Sequence, residues 1–171
     1  MRTAAIVVFG ILLGIPLVYV FVVPRDARHH MASTTTKAQI KQFELMFESY
    51  YQGWGSYPEQ AEVGPITAEF LSRLRTADTG TPLYREEDCD FDESDAVTQP
   101  DGTVVYRPLN GLGQPFYCQS GTAMPAGYEI WSAGPDGLFG AAGSADPAAA
   151  QAPDSREDLS SDDIANWKRL Y

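Results

Sequence analysis

The chain has 171 residues, with 12 Lys and Arg against 23 Asp and Glu, for a net charge of −11. That length suits one domain of ordinary size plus an accessory segment. The acidic balance argues against nucleic-acid binding, which needs cationic surface to displace phosphate counterions; the charge is also uneven, with five basic and three acidic residues up to Pro58 and seven and twenty beyond it.

The twenty residues Ala4 to Val23 carry no charge. At ~1.5 Å per residue they reach ~30 Å, the hydrocarbon thickness of a bilayer. No small-x-small site follows them, so residues 1–24 read as an uncleaved single-pass transmembrane anchor, bent at Pro16. His29 and His30 are adjacent, point different ways on a helix, and read as an interfacial polar pair. Residues 25–58 read as a helical stem. Ser33 to Thr36 either cap a helix or form a polar stretch of a continuous one. Ile40, Phe43, Phe47, Tyr50 and Trp54 then recur at spacings of three and four, which is one apolar helix face. Gly53 and Gly55 close it.

Residues 59–171 form the expected soluble head. Thr67 to Leu74 reads as a short helix capped by Thr67, with Phe70, Leu71 and Leu74 as its apolar face. Glu86 to Asp95 is an acidic run whose Asp88, Asp90 and Asp92 alternate like the start of a calcium loop. Glu93 stands where that loop needs Gly, and Gln99 where it needs a bidentate Glu, so a surface loop is the better reading. From Ala96 the pattern is β. A turn at Gln99 to Gly102 precedes a strand at Thr103 to Arg107, and further strands are expected at Pro115 to Cys118 and Tyr128 to Ser132. The tail from Gly134 to Trp167 reads as loop, with a mobile Ala/Gly/Pro-rich insertion at Ala141 to Pro153. The class is α+β, a small antiparallel sheet packed on the stem helix.

The candidate chemistry is sparse. Cys89 and Cys118 are an even pair that can bridge in an oxidising compartment or remain two separate thiols. No Ser/His/Asp or Cys/His constellation is visible, so an enzyme is not expected. Asp136 sits in a Gly/Pro turn, and the pair Asp162-Asp163 begins twenty-six residues later. If the tail folds back, these carboxylates and the turn's carbonyls make an oxygen cage of the kind Ca²⁺ accepts. A plain turn and a helix N-cap would use the same residues.

Four blocks in order resemble the major pseudopilins of type II secretion systems and related type IV pilin-like proteins. They are the apolar N-terminal helix ending at Val22-Val23-Pro24; the stripe closing on Tyr50 and then Gly55-Ser56-Tyr57-Pro58; Gly113-Gln114-Pro115-Phe116-Tyr117; and Tyr128 to Gly137 (YEIWSAGPDG) followed by Asp163-Ile164 and Trp167. The resemblance implies a pilin-like fold, with a long N-terminal transmembrane and stem helix on a small antiparallel sheet and a calcium-binding C-terminal loop. Carried over, the side-chain ligands are Asp136 and Asp163 (or its neighbour Asp162), and the carbonyl ligands Ala133 and Leu138. It implies a structural subunit in the bacterial inner membrane with its head in the periplasm, whose partners are the membrane, other pilin-like subunits and secretion-apparatus proteins. The chain departs from the family in showing no basic leader, no Gly-Phe processing junction and no acid within Ala4 to Val23. The alternative is therefore a membrane-anchored extracytoplasmic accessory module on the same fold that forms no fibre.

Overall fold

The computed structural model of the protein describes residues 30–84, 90–124, 127–140, 142–151 and 164–166. The first element, α1, is a helix over 30–54. Its threonines do not cap it. Thr34 and Thr36 turn their hydroxyls back onto the carbonyls of His30 and Ala32, at 2.9 and 2.8 Å, as polar residues within a continuous helix. Gly55, at φ +72°, ends it, with its N–H on the carbonyl of Tyr51 at 2.8 Å.

The rest is β1 (Gln60–Pro65), α2 (Ala68–Ser72), β2 (Asp90–Thr98), β3 (Val104–Leu109), β4 (Phe116–Ser120), β5 (Tyr128–Ser132) and β6 (Ile164–Ala165). Four strands form one antiparallel sheet in the order β1-β4-β5-β6, and β2 and β3 form a separate two-stranded ribbon. In α2, Thr67 is the N-cap and accepts from the N–H of Phe70 at 3.1 Å, while Phe70, Leu71 and Leu74 are buried, as the sequence pattern requires.

The period of two along β4 and β5 divides the molecule into layers. Phe116, Cys118 and Ile130 face α1 and meet Ile40, Phe43 and Phe47, all at most 2% exposed. Phe43 packs edge-on against Phe116 at 5.0 Å, and Phe47 does so against Tyr128 at 5.0 Å. Burying each such ring or branched side chain stabilises the fold by about 1.5–3 kcal/mol. On the opposite face, Trp131, Ala133, Phe139, Ala150 and Ala165 form a second core with Tyr117 and Val63. The stripe's last residue leaves the core. Trp54 is 54% exposed, held by its indole N–H on the carbonyl of Arg75 at 2.9 Å.

Several expectations are corrected. Among the described residues the long apolar transmembrane and stem helix is not found: α1 has 25 residues and is not apolar enough to span a membrane, since Lys37, Lys41, Glu44 and Glu48 interrupt it, and these residues form two antiparallel sheets rather than one. Among the described residues no helix is long and apolar enough to cross a membrane, so a single-pass inner-membrane location with a periplasmic head is not supported. Ala4 to Val23, on which that expectation rested, lies outside the described residues, as does His29.

The acidic run is half strand. Asp90 to Asp95 belong to β2, where Arg107 on β3 bonds Asp92 and reaches Asp95 at 3.6 Å. The ladder shifts register between Asp92 and Ala96, which lets Glu93 to Asp95 bulge out. Strands β1 and β6 were not expected.

Candidate functional site

The site that the sequence singles out lies at the end of β5. Ser132 pairs with Ile164 and Trp131 with Ala165, so the last described strand comes in beside the turn that leaves the sheet. Asn166 fastens it, with its N–H on the carbonyl of Ile130 and its side-chain oxygen taking the N–H of Ile130, both at 3.0 Å. The two C-terminal blocks of the sequence therefore adjoin in space. Asp163, next in the chain to Ile164, lies outside the described residues, as do Asp162, Trp167 and Cys89.

The turn itself is tightly specified. The N–H of Gly137, at φ +74°, bonds the carbonyl of Gly134 at 3.1 Å, and the carboxylate of Asp136 takes the N–H of Leu138 at 2.9 Å. Gly there avoids the left-handed penalty that a Cβ would bring. Asp136 and Leu138 are exposed, and Ala133 is buried. The carbonyl of Ala133 is met by the amide of Asn110 at 3.5 Å. With its amide nitrogen turned toward them, Gln114 also donates to Ala133 and Gly134, at 3.1 and 3.2 Å. Of the expected ligands in the turn, Asp136 and Leu138 thus lie on the solvent side, while Ala133 is engaged by the turn beneath. All these donors are hard oxygens, the set Ca²⁺ prefers over softer metals, and Asp136 with the Leu138 carbonyl are the described groups that would hold the ion. Among the described residues no three His, Cys, Asp or Glu side chains cluster as a metal site.

The chain beyond does not hang free, contrary to the expected mobile insertion. Phe139 and Ser144 exchange two backbone hydrogen bonds at 2.7 and 2.8 Å, and residues Pro147–Gln151 form a 3₁₀ turn. Phe139 and Ala150 are buried on Trp131, whose indole N–H bonds the carbonyl of Pro147 at 3.0 Å. The amide of Gln151 reaches Glu129 on the sheet at 2.8 Å. Apolar residues within a stretch rich in small ones make this segment a lid on the second face of the sheet.

What the sequence reading missed is the support under the turn. Asn110 is fully buried. Its side-chain oxygen takes the N–H groups of Leu112 and Gln114, both at 2.8 Å, and its amide donates to the Ser132 hydroxyl at 2.9 Å. Gly111 lies so close to α1 that a Cβ there would come within 2.8 Å of Ala32 backbone atoms, and its N–H meets the Thr36 hydroxyl at 3.3 Å. The turn at 110–114 thus links α1 to the end of β5. Its sequence signals were the turn-forming run Asn110-Gly111-Leu112-Gly113 and the block that starts at Gly113.

Cys118 is a free thiol buried between sheet and helix, and burial pushes its pKa up, so it is inert as a nucleophile. Away from the turn, a cleft of about 350 Å³ runs between Ser72 and Arg75 and the hairpin Val97 to Asp101.

The fold and the site together define an α+β protein in which a helix and an ordered loop sandwich a four-stranded antiparallel sheet. No family model, no curated protein and no solved structure matches the chain.

Proposed function

We propose that the protein is a structural, non-catalytic subunit of a type II secretion or related type IV pilus-like apparatus, similar to the major pseudopilins, with a C-terminal turn stabilised by Ca²⁺. One observation carries the reading. The pairing of Trp131 and Ser132 with Ala165 and Ile164 brings the described part of the Asp163-Ile164 and Trp167 block beside the strand that leads into the Asp136 turn, which supports a shared ion site at Asp136 and Asp163. A subunit of this kind also needs a face for its neighbours. Met31, Ala38 and Leu45 are spaced seven apart on α1 and are all exposed, Met31 at 68% and Leu45 at 62%. A seven-residue repeat places them on one line along the helix, the geometry of helix-to-helix packing. The partners are other copies of the chain and pilin-like components of the same apparatus.

The test is chemical cross-linking and sedimentation of the full chain. A ladder of oligomers that collapses in Leu45→Glu is expected. A chain that stays monomeric at all concentrations, or a ladder indifferent to Leu45→Glu, overturns the assembly reading.

A further inference from the structure

At its C-terminal end α1 carries aromatic side chains beyond those the core consumes. Tyr51 and Tyr57 stack at 4.7 Å with their planes 25° apart, and Tyr57 meets Tyr128 edge-on at 5.0 Å. Tyr51 is 42% exposed. Residues three apart on a helix are neighbours on its surface, so Glu48 lies beside Tyr51.

Two of the three rings are fastened by their hydroxyls: Tyr57 donates to the Glu48 carboxylate at 3.1 Å and Tyr128 to the Glu44 carbonyl at 3.5 Å. Burial and the neighbouring Glu48 both raise the Tyr57 pKa, and burial followed by Glu48 and Glu44 raises that of Tyr128, so both phenols stay protonated and donate. The two carboxylates differ. Glu44 is bridged to Lys41 at 2.7 Å, whereas among the described residues no Lys or Arg is ion-paired with Glu48. A half-exposed π-face thus stands next to a preoriented carboxylate that, among the described residues, has no salt-bridge partner and feels Lys41 only at longer range.

We propose that this ledge of Tyr51, Tyr57 and Glu48 is a docking surface for an arginine-bearing segment of a partner protein. A guanidinium can lie flat on the Tyr51 ring while its fork reaches the Glu48 carboxylate, a combination that the compact lysine ammonium cannot make as well. The charge of the chain, −11, favours a basic partner over a second copy. Among the described residues the arginines of a second copy are also committed. Arg73 lies over the Phe70 ring, Arg75 bonds Gly80 and Gln99, and Arg107 bonds Asp92. The inference does not depend on the assembly reading, which uses a different line of α1.

The test is isothermal titration of the full chain with the blocked peptide Gly-Arg-Gly-Arg-Gly and its lysine counterpart, at ~0.15 M salt to screen diffuse attraction. Tyr51→Leu keeps the apolar area but removes the ring, and Glu48→Gln keeps the acceptor for Tyr57 but removes the charge. Each is expected to weaken arginine-peptide binding about fivefold, the size of an exposed cation–π or ion-pair contact, and the lysine peptide to bind less tightly than the arginine peptide. Glu62→Gln, an exposed carboxylate on β1, is the control and is expected to change the affinity less than about twofold. The proposal is overturned if the unaltered chain does not bind the arginine peptide, if Glu62→Gln weakens binding as much as Glu48→Gln, or if Tyr51→Leu has no effect.

Discussion

Replacing Asn110 by Ala would remove the support of the candidate site while leaving Asp136 and Leu138 in place, and it would also release the carbonyl of Ala133 from the Asn110 amide. The side chain is completely buried and satisfies two backbone N–H groups, those of Leu112 and Gln114, while donating to the hydroxyl of Ser132. Alanine leaves both donors without that acceptor. Each orphaned group costs about 1–3 kcal/mol, and the lower figure applies because Leu112 and Gln114 are only half-buried. Adding the void left by the missing amide gives a loss of about 3 kcal/mol. For a domain of this size that lowers Tm by roughly 10 °C. The assay is thermal unfolding followed by far-UV circular dichroism, with near-UV signal from the tryptophans as a second probe of the loop on Trp131. A loss below about 1 kcal/mol would refute the reasoning, since a single compensated hydrogen bond would then account for the whole effect.

Two further outcomes follow from the same contacts. Gly111→Ala drives a Cβ to 2.8 Å from the Ala32 backbone, which has no soft side chain to yield, and should cost about 2 kcal/mol in denaturant unfolding. Hydrogen bonds from the Ser94 side chain, from Arg107 and from the Ser94 backbone hold the Asp92 carboxyl at a pKa of about 2, below its ordinary 3.8. A depressed folded pKa contributes stability that is present above the ordinary value and lost as the pH falls through the folded one. The Tm difference between the unaltered chain and Asp92→Asn should therefore be full at pH ~5 and shrink between pH ~4 and ~2, and a difference unchanged at pH 2 would contradict the assignment.

Short-range chemistry was legible in the sequence. The three-and-four spacing of Ile40, Phe43 and Phe47 set the buried face of α1, and Thr67 capped α2 where an N-cap was expected. The strands expected at Pro115 to Cys118 and Tyr128 to Ser132 correspond to β4 and β5. Long-range pairing was not legible. Nothing local in Gln60 to Pro65 announces a strand, because that strand exists through its ladder with β4, and two residues at Ile164 and Ala165 are too few for any periodicity. The acidic run read as loop because repulsion among its carboxylates was visible and Arg107, twelve or more residues away, was not. For the candidate site, the turn at Gly134 to Gly137 could be read from its glycines. The buried Asn110 beneath it could not, since a polar residue in a Gly-rich turn looks the same whether it faces water or the core. The packing of Phe139 and Ala150 was obscured by composition, because Ala150 contributes to packing only once Trp131 is opposite it.

The most direct test of the structural, ion-stabilised account is a melting curve of the full chain with Ca²⁺ and with chelator, repeated for Asp136→Ala and Asp90→Ala. Linkage predicts about 2.7 kcal/mol of added stability at a hundredfold excess of ion over its dissociation constant. The account predicts that Tm rises with Ca²⁺ in the unaltered chain and in Asp90→Ala, and that the rise disappears in Asp136→Ala. No rise at millimolar Ca²⁺, or a rise that survives Asp136→Ala and is lost in Asp90→Ala, would contradict it.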